Sequence, residues 1–74
     1  MRYDYRKLRG KIKEVYGTQE AFANDISISV PALSQRLNNV SRFTQDEILT
    51  SCNKLGIATS DIAAYFFTHE VQKN

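Results

Sequence analysis

The chain has few of the features that staple or anchor a small protein. A single cysteine, Cys52, in 74 residues rules out an intramolecular disulfide, and a lone His69 leaves no Cys/His cluster at metal-ligand spacing. A chain of this length buries only about 60% of its unfolded surface, so packing alone or self-association, including a homodimer, must hold the fold. No apolar run approaches the roughly 20 residues that span a bilayer. Met1-Arg2-Tyr3-Asp4 does not lead into a signal-peptide apolar region, so an unprocessed, cytoplasmic protein without a membrane partner is expected. There is no Ser-His-Asp arrangement, Gly-rich phosphate loop or paired-carboxylate site. Neither an enzyme, a cofactor, a metal nor a small-molecule substrate is therefore expected.

Positive charge is scarce in the middle of the chain. The net charge is +2, but residues 1–13 carry six basic residues against Asp4 alone, and residues 14–74 hold four basic and seven acidic ones. Between Gln19 and Asn39 only Arg36 is basic, against the two acids Glu20 and Asp25. A DNA reader draws much of its affinity from Lys and Arg at phosphates, so this distribution counts against strong operator binding by that stretch alone.

Helical periodicity runs through the chain, with no strand-like alternation, internal repeat or low-complexity segment. Asp4 can cap a first helix reaching about Tyr16, with Tyr5, Leu8, Ile12 and Val15 on its apolar face and Gly17 as its stop. Thr18 can cap a second helix carrying Phe22, Ala23 and Ile26. Ser29 can cap a third, with Pro31 in its first turn, where a missing N–H breaks no internal bond, and with Leu33 and Leu37 buried. Thr44-x-x-Glu47 is a capping box for a fourth helix with Ile48, Cys52 and Leu55 as its stripe and Gly56 as its end. Ser60-Asp61 can open a short fifth helix with Ile62, Tyr65 and Phe66. Three consecutive aromatics, Tyr65-Phe66-Phe67, cannot all face inward on it, so at least one is exposed unless the tail or another chain covers it. One domain over residues 1–67 and a flexible C-terminal tail over residues 68–74 are expected.

The organising stretch is Gln19 to Asn38, QEAFANDISISVPALSQRLN. Ala23, Ser27 and Leu33 stand where two helices crossing over a tight turn need a small residue, a turn residue and a buried anchor. A non-glycine residue in a left-handed turn conformation costs about 1–2 kcal/mol, so Ser27 fits less well than glycine would. At these residues, and at Gly17-Thr18-Gln19, Ser34 to Asn39 and Phe43 to Ile48, the chain resembles the Cro/repressor-type helix-turn-helix regulators of temperate phages. That family includes antirepressors of the modulator-of-repression type. The resemblance implies an all-α, compact five-helix helix-turn-helix domain of the phage repressor/Cro type. It also implies a small switch regulator of lysis and lysogeny whose partner is operator DNA, a phage repressor protein, or both.

On the operator reading, the outward face of the third helix is Pro31, Ser34, Gln35 and Asn38, and its base-reading residues are Val30, Pro31, Ser34 and Gln35, with Gln35 able to pair bidentately with adenine. Gln19, Ser29, Asn38, Asn39 and Arg42 stand where family members place phosphate contacts. For Ser29, simple helix capping is the competing role, and Arg36 can pair with Glu20 across the two helices instead of meeting a ligand. Arg6, Arg9 and Lys13 on the first helix suit either phosphates or an acidic protein surface. On the antirepressor reading, the same third-helix face and basic first helix bind the DNA-binding domain of a repressor and block its access to the operator. The charge-poor motif and the apolar Val30-Pro31 pair support that alternative.

Overall fold

The first helix, α1, spans Arg6–Tyr16 in the computed structural model, which describes residues 2–71. It begins one residue later than the cap expected from Asp4, yet Asp4 still acts as a cap. Its Oδ1 accepts the Arg6 backbone N–H at 3.0 Å, although Tyr5 holds the formal boundary position. Leu8 and Ile12 are buried as their spacing predicts, but Val15 is 47% exposed. The turn of helix after Ile12 presents Tyr16 to the core instead, where its ring packs 5.2 Å from Phe22. Gly17, at φ 82, closes the helix by donating to Lys13 O.

Helices α2 (Gln19–Asp25) and α3 (Val30–Leu37) are capped as their sequences require. The Thr18 and Ser29 hydroxyls accept the backbone N–H groups of Ala21 and Ala32, each at 3.1 Å. Both helices end in the same six-to-one closure, with a left-handed residue just past the last turn. Ser27 (φ 63) lets Ile28 donate to Ala23 O at 3.0 Å, and Asn39 (φ 64) lets Val40 donate to Gln35 O at 2.8 Å. Fully buried Ala23 and Leu33 are the small contact and the anchor that the turn calls for.

The Thr44 capping box opens α4 (Gln45–Leu55), and Gly56 closes it in the left-handed region. A 3₁₀ turn over Thr59–Asp61 then leads into α5 (Ile62–Phe66). Of the three aromatics at the end of this last helix, Phe66 is 2% exposed, Tyr65 is half-buried and Phe67, just past the helix, is 48% exposed. The five helices surround one core of Leu8, Ile12, Phe22, Leu33, Leu55 and Phe66 with their neighbours, and Cys52 sits inside it. A ladder of rings, Tyr5 to Phe43 at 5.5 Å and Phe43 to Phe66 at 5.3 Å, both edge-to-face, joins α1 to α5 through the loop before α4.

Thr68 to Glu70, expected at the start of a flexible tail, are hydrogen-bonded to the N-terminal segment. Asp4 N donates to Thr68 O at 2.6 Å and Glu70 N to Arg2 O at 3.0 Å, around an isolated antiparallel bridge between Tyr3 and His69. The rest of the expected tail, residues 72–74, lies outside the described residues. No helix is long and apolar enough to cross a membrane among the described residues.

Candidate functional site

The exposed face of α3 begins at its N-terminus. Val30 is 40% exposed and Pro31 is exposed beside it, because the core side of this first turn is taken by Leu33. One turn on, Gln35 points to solvent with no hydrogen-bond partner for its side-chain amide among the described residues, and Ser34 is half-buried next to it. Val30, Pro31, Ser34 and Gln35 therefore lie together on one face of the helix, one turn of α3 apart. They carry two apolar groups, a hydroxyl and an amide, but no charge.

Arg36 does not add to that face. Its expected partner was Glu20, but the guanidinium turns the other way. Nε donates to Glu47 Oε1 at 2.7 Å and Nη2 to Oε2 at 3.0 Å, while Nη1 reaches Ala32 O at 3.0 Å. The Glu47 carboxylate is held in place by the α4 capping box, where Oε1 also accepts Thr44 N at 2.9 Å. Burial alone pushes the Glu47 carboxyl upward. The Arg36 hydrogen bonds, reinforced by the Thr44 N–H, outweigh it and leave the group below its ordinary range. A fixed acceptor beside the helix is a better partner than Glu20, which is exposed on α2.

The residues expected to position phosphates are mostly engaged within the chain. Ser29 caps α3. Asn38 accepts Arg9 Nη2 at 3.0 Å through Oδ1 and donates from Nδ2 to Ser34 Oγ at 3.2 Å. Both ends of the Asn39 amide grip the Tyr3 backbone: Oδ1 accepts Tyr3 N at 2.7 Å and Nδ2 donates to Tyr3 O at 3.0 Å. Arg42 is exposed, with its guanidinium 5.8 Å from the centre of the Tyr3 ring, and Gln19 is half-buried at the start of α2. This structural role for Asn39 was missed in the sequence. Its one local signal is that asparagine tolerates the left-handed position after a helix.

On α1 the basic residues divide. Lys13 is exposed with no acidic partner among the described residues. The Arg6 guanidinium contacts both Asp4 carboxylate oxygens, with Nη2 2.7 Å from Oδ2, and this hydrogen bonding pulls the Asp4 carboxyl down to about 2. Arg9 is half-buried and donates to Leu37 O at 3.1 Å as well as to Asn38, so it caps the C-terminal end of α3 with a positive charge. Lys54 faces Asp25 at 3.7 Å, and the Tyr16 hydroxyl donates to the same carboxylate. Along α2, the turn and α3, the Arg36 cation is neutralised by Glu47, whereas Glu20 stands exposed with no basic partner among the described residues.

No curated protein matches the chain. Among solved structures it is similar to the modulator of repression (MOR) of the temperate bacteriophage TP901-1 from Lactococcus lactis. The identity is 40%, 97% of each chain is covered and the TM-score is 0.80. Residues 1–69 match the family described as "Protein of unknown function (DUF739)", and the chain belongs to that family.

Proposed function

We propose that this protein is an antirepressor of a temperate-phage switch, which binds the DNA-binding domain of a phage repressor through the exposed α3 face and keeps it off its operator. The observation that carries the reading is the charge state of that face. The surface with which a repressor holds DNA is rich in Lys and Arg, because phosphate neutralisation supplies much of its affinity. The part of a protein that lies directly on such a surface is favoured when it carries no unpaired cation. Here Arg36 is neutralised by Glu47, the face itself is Val30, Pro31, Ser34 and Gln35, and Glu20 on the adjoining helix is an exposed acid. The similarity to a phage modulator of repression supports the same role.

Direct operator binding is the second reading, and the unpartnered, exposed Gln35 amide favours it. Gel-shift titration on operator DNA, with and without the repressor of the same phage and at a stated salt concentration, separates the two. The antirepressor gives no shift alone and abolishes the repressor's shift. A sequence-specific shift by this protein alone would replace the proposal with operator reading through Gln35.

A further inference from the structure

Between the start of α1, the end of α3 and the C-terminal segment lies an open groove of about 460 Å³. Arg2, Arg6 and Arg9 line it together with Asn38, Asn39 and Glu70. We propose that this groove is a carboxylate-binding site for an acidic segment of the partner protein, and that the chain's own Glu70 is its internal competitor. The proposal rests on the antirepressor reading for the identity of the partner, but not for the chemistry of the groove.

Three arginines line the groove, and a planar guanidinium fork matches a carboxylate. The groove already holds one carboxylate in this way and a second through a single N–H. Arg6 contacts both oxygens of Asp4, and Arg2 Nε donates to Glu70 Oε2 at 3.1 Å. Arg9 is the cation left over. Its Nη2 donates to two neutral acceptors, Leu37 O and Asn38 Oδ1, so its charge meets no acid and three of its five N–H donors remain unused among the described residues.

The Arg2 and Glu70 side chains are 61% and 44% exposed, so solvent screens their attraction and an incoming carboxylate can displace Glu70. Asn38 places the groove just past the end of α3, so the carboxylate it takes belongs to a segment of the partner outside the basic surface that the α3 face covers. A carboxylate side chain fits this site better than a nucleic-acid backbone does. Asp4 is fixed in the groove wall by Arg6 and would repel a continuous phosphate track, whereas a carboxylate on a flexible side chain can settle at Arg9 in the same groove.

The test is an NMR titration of the isotope-labelled full chain with an acetylated, amidated tetraglutamate peptide, which needs no repressor. Shifts are expected at the Arg9 Nε–H and at the Asn38 and Asn39 side-chain amides. Glu70→Gln should bind the peptide about two- to fivefold more tightly, the range that removal of an exposed ion pair allows. Glu14→Gln changes the net charge equally and should leave affinity unchanged. Arg9→Lys, which keeps the charge and loses the fork, should bind more weakly, and Arg2→Gln gives a second, exposed position should Arg9→Lys fail to fold. Shifts spread over Lys7, Lys11 and Lys13 without Asn38, or no gain in Glu70→Gln, would overturn the proposal. So would duplex DNA moving the same resonances more strongly than the peptide. The gel-shift result can stand or fall independently of all these outcomes.

Discussion

Arg36 and Glu47 form a two-pronged ion pair, Nε to Oε1 and Nη2 to Oε2, that ties the last turn of α3 to the first turn of α4. Both side chains are more than four-fifths shielded from solvent, at 17% and 16% exposure. The pair also links the turn unit to the capping box, since the same Oε1 accepts Thr44 N. Glu47→Gln keeps the shape and the capping hydrogen bond but removes the charge, leaving Arg36 shielded and unpaired. The expected loss is about 1–2 kcal/mol, read as a lower urea midpoint at unchanged slope.

Acid should weaken the fold through two carboxylates. Glu47 lies below its ordinary 4.5, held there by Arg36 and Thr44 against burial, and Asp4 is lowered from 3.8 to about 2 by its hydrogen bonds from Arg6. A folded-state value below the unfolded one means that the unfolded chain takes up protons first. The stabilisation is therefore complete above about pH 4.5 and is lost as pH falls through the folded values towards 2. Thermal melts between pH 6 and pH 2.5 should show this fall. Glu47→Gln should flatten its upper part, and an unchanged slope in that variant would remove Glu47 as a cause.

Asn39 pins the N-terminal segment to the end of α3 while standing at φ 64. Asn39→Ala loses both hydrogen bonds and meets the steric cost of a left-handed backbone, for an expected loss of about 2–3 kcal/mol. Asn39→Gly loses the same bonds and not the backbone preference, so it should cost about 1 kcal/mol less. Hydrogen exchange at the Tyr3 and Asp4 amides should quicken in both variants. Protection of Tyr3 equal to that of the parent would show that the segment is held by other contacts.

Much of this fold is legible in the sequence because its helix signals are local. Thr18, Ser29 and Thr44 cap where their spacing predicts, Gly17 and Gly56 stop α1 and α4, and Ala23 and Leu33 are buried on either side of a left-handed Ser27. The candidate site is less legible, because its polar residues find partners far along the chain. Glu47 is 11 residues from Arg36, Asn38 is 29 from Arg9, and Asn39 is 36 from Tyr3. Periodicity places each of these on a helix or in a loop but does not say which neighbour fills its hydrogen bonds. Val15 shows a smaller failure of the same kind. Its spacing suits the apolar face, yet Tyr16, one residue on, reaches Phe22 and takes the core position.

Cys52 is a probe of the same core. Burial pushes its thiol up, and the side chain is 4% exposed on the inner face of α4. A thiol reagent should therefore react slowly with the native chain at pH 8 and rapidly in urea, because attack needs both the thiolate and an opening of the fold. Fast reaction under native conditions would mean that α4 detaches readily from the bundle.

Gln35→Lys separates stability from partner choice on the α3 face. The position is exposed and its amide has no hydrogen-bond partner among the described residues, so stability should stay within about 0.5 kcal/mol of the parent. The new cation acts in opposite directions on the two possible partners. Against DNA it adds a phosphate contact, which raises affinity and steepens its salt dependence. Against a repressor's basic DNA-binding surface it adds like-charge repulsion, which should weaken capture by about tenfold at low salt and by less as salt screens it. Calorimetric titration against the repressor's DNA-binding domain at two ionic strengths reads this directly. Capture that weakens most at low salt supports the antirepressor face, and capture unchanged in the variant would move the docking surface away from Gln35.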